Sequence, residues 1–139
     1  MNDLLIRKRK FRDFLPLIKI TQEAFPFWIK HIFYLFISQV FIAEKDSKTI
    51  GFIAVSLRYP HSKITLTAVD RNYRGQNIGS KIMTEVISWL KSKGIKTCYS
   101  MVRIDNPKAL HFYQNHGFSI IRLFKRLLFG NVYIIKKDI

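Results

Sequence analysis

Residues 71–80, Arg71-Asn72-Tyr73-Arg74-Gly75-Gln76-Asn77-Ile78-Gly79-Ser80, gather cations, glycines and small polar side chains into one short stretch. Upstream, Ile64, Leu66 and Ala68 alternate with Thr65 and Thr67, the period of a half-buried strand; downstream, Ile78, Ile82, Val86, Trp89 and Leu90 recur at helical spacing. The change from strand to helix therefore falls on the Arg/Gly segment. A helix that starts there leaves its first N–H groups unpaired and presents the positive end of its dipole. Main-chain groups can then hold a pyrophosphate, with Arg74 close enough to add charge. By itself the segment reads equally well as an ordinary strand-to-helix turn.

A second segment begins at Asn106-Pro107, an N-cap followed by proline at the first helical position, and runs through Ala109, Leu110, Phe112 and Tyr113. It stops at Gly117, the position past a helix end that favours glycine, and Phe118 restarts a strand. Together the two read Arg74-x-x-Asn77-x-Gly79 and Asn106-x-x-Ala109-x-x-Phe112-Tyr113-x-x-x-Gly117-Phe118. The pair resembles the two signature motifs of the GNAT superfamily of N-acetyltransferases. Ile6-Arg7, the helix ending near Gln22-Glu23-Ala24-Phe25-Pro26, Phe41-Ile42-Ala43-Glu44 and Ile50-Gly51-Phe52-Ile53-Ala54 extend the likeness over nearly the whole chain. Within that superfamily, Ala24-Phe25-Pro26 with Trp28, and Val102-Arg103-Ile104-Asp105-Asn106, look most like the bacterial ribosomal-protein alanine N-acetyltransferases and their protein N-terminal acetyltransferase relatives.

The resemblance implies acetyl-coenzyme A as cosubstrate and assigns roles to residues. Thr67, Ala68 and Val69 look like the strand segment that pairs with pantetheine and points the Val69 N–H at the thioester carbonyl. Gly75, Gln76, Asn77, Ile78, Gly79 and Ser80, with Arg74, would hold the pyrophosphate. Asn106 matches a position that contacts the cofactor arm, and it reads equally well as the helix cap. Tyr113 matches the general acid whose phenol reaches the cofactor sulfur; its rival reading is core filler, since one of the adjacent Phe112 and Tyr113 must face inward.

Two departures matter, one in the phosphate turn and one in an incomplete acceptor-side pattern. Asn77 stands where the family has its middle glycine, which is tolerable because asparagine accepts positive φ better than other non-glycine residues. The alanine N-acetyltransferases carry a glutamate one residue before Val102-Arg103, where this chain has Met101. A tyrosine pair expected in the last strand–strand loop is Leu127-Leu128, and the acidic stretch after it is missing. Met101 cannot take a proton, so the base is sought in Glu23, where related N-terminal acetyltransferases place a loop glutamate, in Glu44, or in a water chain.

These groups must be positioned by a chain of 139 residues, enough for one domain over residues 1–139 with a single core. The pattern predicts strands 4–9, 40–45, 50–58, 63–70, 97–103, 119–128 and 132–137, and helices 12–24, 27–37, 79–93 and 107–116. Hairpin signals at Lys45-Asp46-Ser47-Lys48 and Phe129-Gly130-Asn131 mark antiparallel neighbours, while the helix between strands 63–70 and 97–103 requires a crossover that makes those two parallel. The expected architecture is α/β, a mixed sheet with helices on both faces. The resemblance adds two parallel central strands that splay apart to open a slot for the pantetheine arm.

The longest apolar candidate, 24–41, is broken by Lys30 and His31 and falls short of the roughly 20 apolar residues that cross a bilayer. Leu15-Pro16-Leu17-Ile18 runs straight into Lys19, so no signal-peptide core follows the basic start; the chain is expected in the cytoplasm, and a lone cysteine agrees. Cys98 reads as buried filler, and the four histidines give no metal-ligand pattern. The 24 Lys and Arg against 9 Asp and Glu, a formal +15, exceed what a coenzyme needs. They suit a solvated basic surface, a face that docks on RNA or the ribosome, or an anionic acceptor. Arg7-Lys8-Arg9-Lys10 is the densest cluster, which a strand would split between two faces. Three functions compete: acetylation of a protein or peptide α-amine, acetylation of a small-molecule amine, and a non-catalytic module that binds coenzyme A or RNA. Polyamines are poor candidates for a chain so short of carboxylates. Either a monomer or a homodimer is compatible with the sequence.

Overall fold

The computed structural model describes residues 4–25, 28–128 and 130–139; of Trp28, Lys30 and Phe33 only the backbone is described. Pro26, the Trp28 side chain and Phe129, all part of the sequence reading, therefore lie outside the described residues. Seven strands form one sheet: β1 (Leu4–Lys8), β2 (Gln39–Lys45), β3 (Lys48–Arg58), β4 (His61–Val69), β5 (Thr97–Arg103), β6 (Ser119–Phe124) and β7 (Val132–Asp138). Their spatial order is β1-β2-β3-β4-β5-β7-β6. Every neighbouring pair is antiparallel except β4 and β5. Between those two runs α3 (Ile78–Ser92), the crossover that a parallel pair requires. The remaining helices are α1 (Phe14–Ala24), α2 (Trp28–Ile37) and α4 (Pro107–Asn115).

Helices cover both faces. Leu17 and Ile20 of α1 and Leu35 of α2 pack on Val40, Ile42, Phe52, Ala54, Leu66 and Ala68. On the opposite face Ile78, Ile82, Met83, Val86 and Leu90 of α3, with Tyr113 of α4, pack on Phe41, Ile53, Ile64, Cys98, Val102 and Ile135. Trp89 joins this second layer edge-on to Phe41, at 5.2 Å between ring centres.

Two expectations need correction. Ile64, Leu66 and Ala68 do not share a face: the β3–β4 register shifts at Ala54/Val55, which pair with Leu66 and Ile64, so Thr65 is an extra residue. That bulge turns Ile64 toward α3 and leaves Leu66 and Ala68 under α1. The last hairpin also opens early. Strand β6 ends at Phe124 rather than running to 128, because the Asn131 side chain accepts from the Arg126 N–H at 3.2 Å and draws the chain out of the ladder. Leu127 and Leu128 are left fully in solvent.

The start of the chain is pinned by ions. The Arg7 guanidinium donates to both carboxylate oxygens of Asp13 at 2.7 and 2.9 Å and to Glu44 at 2.7 Å. The Lys10 N–H and the Thr49 hydroxyl complete the shell of Asp13, which is 2% exposed. The basic run 7–10 does split: Lys8 lies over the Trp89 ring on the α3 face, while Arg9 lies over Phe14 on the other and donates to the Leu35 carbonyl. No helix among the described residues is long and apolar enough to cross a membrane.

Candidate active site

Parallel pairing between β4 and β5 covers only His61, Ser62 and Lys63 opposite Thr97, Cys98 and Tyr99. Beyond these the strands part, and 64–69 face 100–103 across a slot with no ladder between them. At its root the Ser100 hydroxyl donates to the Ile64 carbonyl at 3.0 Å, taking the place of the ladder bond where pairing stops. Successive residues of a strand turn their N–H groups to opposite edges. The Asp70 N–H bonds to the Ile50 carbonyl on the β3 side, so the Val69 and Thr67 N–H groups face the slot.

Tyr113 closes the slot from the α3/α4 side. Its hydroxyl lies 3.1 Å from the Thr67 hydroxyl on β4 and 3.5 Å from that of Ser100 on β5, so a single phenol spans both walls. The helix end holds it there. Gly117 has φ +85°, the Phe118 N–H bonds back to the Tyr113 carbonyl at 3.1 Å, and the Gly117 N–H bonds to Gln114 at 3.0 Å, a Schellman turn whose apolar contact is Phe118 edge-on to the Tyr113 ring at 5.2 Å. Burial pushes the Tyr113 phenol above its ordinary value, against the opposing hydrogen bonds of Ser100 and Thr67. It is therefore a protonated donor throughout the neutral range.

The turn after β4 forms as its residues dictate. Asp70 caps a short 3-10 turn (Arg71–Tyr73) by accepting from the Asn72 N–H at 2.9 Å. Gly75 at φ +79° and Asn77 at φ +59° take the left-handed conformations that reverse the chain into α3. Asn77 makes no side-chain cap, so the first N–H groups of α3, on Ile78, Gly79 and Ser80, are without a capping partner. A main-chain cradle of this kind fits the pyrophosphate of coenzyme A, and a slot lined by the Val69 and Thr67 N–H groups fits its amide-bearing arm. Gly79 lets α3 lie close to α4: a Cβ there would stand 3.3 Å from the Phe112 ring, which would have to yield slightly. Arg74 extends back from the turn, its Nε donating to the Val69 carbonyl at 3.1 Å. Asn106 caps α4, accepting from the Ala109 N–H at 3.2 Å, a bond that leaves its amide N–H groups uncommitted for a ligand.

Ala68 is buried toward α1 and, by the same alternation, turns its N–H to Phe52 on β3, so contrary to expectation it lends the slot no main-chain donor. Gln76 is exposed at the tip of the turn. Glu23 lies on the exposed side of α1, close to its end, and is not brought into contact with Tyr113. Glu44 is excluded as a base, since Arg7 holds it at 2.6 Å on β2, two strands from the slot. Met101 projects from β5 on the face opposite Tyr113, 42% exposed.

Ser100 escaped the sequence reading, although its alternation with buried Cys98 and Val102 places it on the α3 side. His116 also escaped it; its Nε2 lies 3.0 Å from the Ser80 hydroxyl and ties the end of α4 to the start of α3. Cys98 is fully buried, which pushes its thiol up and away from nucleophilic use. Among the described residues no cluster of three metal-ligating side chains occurs.

The model of the acetyltransferase (GNAT) family matches residues 11–118. An uncharacterized N-acetyltransferase of Methanocaldococcus jannaschii is 27% identical over 85 residues, covering 56% of this chain and 38% of that protein. A putative ribosomal protein bS18-alanine N-acetyltransferase of Bacillus subtilis is 24% identical over 118 residues, 81% and 78% of the two chains. Among solved structures, the ribosomal-protein-S18-alanine N-acetyltransferase of Escherichia coli superposes with a TM-score of 0.86 at 21% identity, covering 98% of this chain and 94% of the other. The PaiA N-acetyltransferase of Thermoplasma acidophilum, in complex with coenzyme A, superposes at 0.83 with 20% identity over 99% of both chains. At such identities the superpositions speak for the fold. The curated matches span from about two fifths to four fifths of those relatives' own lengths.

Proposed function

Because the chain belongs to the GNAT acetyltransferase family, we propose that it forms one domain over residues 1–139 that moves the acetyl group of acetyl-coenzyme A to a primary amine, in the first place the α-amine of a protein or peptide. One observation carries the reading: a buried phenol, Tyr113, bridges the two walls of a slot whose far end opens on the uncapped start of α3. The coenzyme supplies an activated thioester. Val69 presents an N–H for charge developing on the carbonyl oxygen, the residues from Gly75 to Ser80 with Arg74 hold phosphate, Asn106 offers its amide to the arm, and Tyr113 holds a proton for the departing sulfur. The relatives named for ribosomal protein N-termini support the α-amine reading. A cytoplasmic place beside RNA or the ribosome agrees with the +15 charge. Met101 favours a second reading, a module that binds the coenzyme without turnover. Thiol release from acetyl-coenzyme A, followed against a panel of peptides and small amines, separates the two: release with no amine in the panel sinks the enzyme reading.

Gly79→Asp should weaken coenzyme A binding at least ~10-fold, or about 1.4 kcal/mol, because it sets a carboxylate at the dipole's positive end. Gly79→Ala, which adds only the contact with Phe112, should lose less. Titration calorimetry on both decides whether the cradle holds phosphate; equal affinities in parent and Gly79→Asp would remove it.

The base is assigned to Glu23 acting through water. Glu23→Gln should depress the rate near neutral pH and leave much of it at high pH, where the amine arrives neutral. Met101→Glu in that background should restore part of the neutral-pH rate, since position 101 borders the slot on the open face. Identical pH–rate profiles for parent and Glu23→Gln would strike Glu23 from the reaction.

A further inference from the structure

Tyr113 and α4 close one side of the slot, so an amine must approach from the other face of the sheet. Over that face, among the described residues, α1 and α2 pack on β2, β3 and β4. Among the described residues no helix covers the strip formed by the strands beyond, β5, β7 and β6, from Met101 outward, although Val132, at the far end of this face, is buried. Register defines it: Lys63 pairs with Tyr99, Met101 with Ile134, and Ile134 with Arg122, and direct partners share a face. Arg103 and Lys136 lie on the same side by alternation. Met101 and Ile134 thus sit among four cations, with Tyr99, Val132 and Phe124 on the same face by the same registers.

The carboxylates near this strip are already used. Asp105 is held by Arg103 at 2.8 Å and Asp138 by Lys136 at 3.3 Å. Lys63 and Arg122 have no ion-pair partner among the described residues, and Arg122 lies over the Phe124 ring at 5.7 Å, which holds its charge on the strip. Met101, the β5 side chain that borders the slot on this face, is neutral. An acceptor that followed its amine with basic residues would meet four cations, against carboxylates already engaged by two of them.

We infer, on the reading of the protein as an α-amine acetyltransferase, that its acceptor is a polypeptide N-terminus followed directly by acidic residues. Arg122 stands two strand spacings from β5, roughly 10 Å, which is the reach of about three extended residues. Carboxylates at the second to fourth positions of the acceptor therefore meet Lys63 and Arg122, while the apolar pair receives the side chains between. Mixed apolar and cationic spacing on one sheet face suits an extended peptide better than a phosphate backbone, whose charges recur without apolar interruption.

The test is a peptide series of equal length with one first residue, carrying Asp/Glu, Asn/Gln or Lys at positions two to four. The acidic member should exceed the neutral one in kcat/KM by at least about 10-fold at low salt, with the ratio shrinking as salt rises. Arg122→Glu combined with Lys63→Glu should abolish that preference or reverse it. Arg122→Gln should reduce it, and coenzyme A affinity reports that each variant is folded. An acidic peptide no better than the neutral one overturns the inference, as does a preference that survives the double charge reversal. If the double variant loses binding of an RNA oligonucleotide and keeps its peptide preference, the strip belongs to RNA instead. Should small amines be acetylated and peptides of every charge be refused, the α-amine reading falls and the acidic acceptor with it.

Discussion

Replacing Tyr113 with phenylalanine should lower kcat by roughly 10²- to 10⁴-fold, the usual contribution of a general acid, while coenzyme A affinity stays within a factor of a few. The substitution keeps the ring that packs on Phe112 and Phe118, so the helix end and the wall of the slot survive. What disappears is the one hydroxyl that reaches both Thr67 and Ser100. Ser100 retains the Ile64 carbonyl as a partner, so the loss leaves no stranded buried donor there. Because burial raises the phenol above its ordinary value, the parent's turnover should hold its plateau into alkaline pH and not decline with a tyrosine of unperturbed acidity. Stopped-flow turnover beside calorimetric coenzyme A binding makes the distinction. Parental kcat in Tyr113→Phe would make the residue core filler; a change confined to affinity would make it a binding residue.

That site was legible where local chemistry writes it. Asn106-Pro107 and Gly117 bound α4 as cap, first-turn proline and left-handed terminus, while the choice of Tyr113 over its neighbour Phe112 came from the family resemblance. The turn into α3 was legible for the same reason, down to Asn77 with positive φ. Features made by pairing two distant segments were not. The extra Thr65 arises from how β4 meets β3, and no alternation within residues 63–70 announces it. Residues 119–128 read as one strand, and the Asn131 side chain accepting from the Arg126 N–H marks where the ladder has already ended. Glu44 is a plausible base on paper; in the fold it is the partner of Arg7, 37 residues away. Alternation did divide the charges of residues 7–10, because a strand's period needs no partner to be read.

Asp13→Ala should cost about 3–5 kcal/mol, the toll of leaving one half of a buried ion pair behind. Arg7 is the half that remains, its side chain 12% exposed, with Glu44 alone to answer a guanidinium that met three carboxylate oxygens. The Lys10 N–H also loses its acceptor at 2.6 Å. Urea midpoints at neutral pH should therefore fall steeply for Asp13→Ala. Arg7→Ala with Asp13→Ala should lose less than the two single changes added together, because neither charge is then stranded. The pH dependence follows from the same contacts. Desolvation pushes the Asp13 carboxyl up, but the Arg7 hydrogen bonds, the Lys10 N–H, the Arg7 charge and the Thr49 hydroxyl together hold it below the ordinary 3.8. A depressed carboxylate contributes stability above its unfolded value of about 3.9 and loses it as pH falls through the folded one. The parent should destabilise in that acid window, and Asp13→Ala should lack this component of the slope. Equal acid slopes in the two proteins would show that Asp13 does not anchor the β1–α1 joint. Since Asp13 is the N-cap position of α1, which carries Glu23 close to its other end, the same variant should also blunt the neutral-pH rate assigned to Glu23 in whatever fraction remains folded.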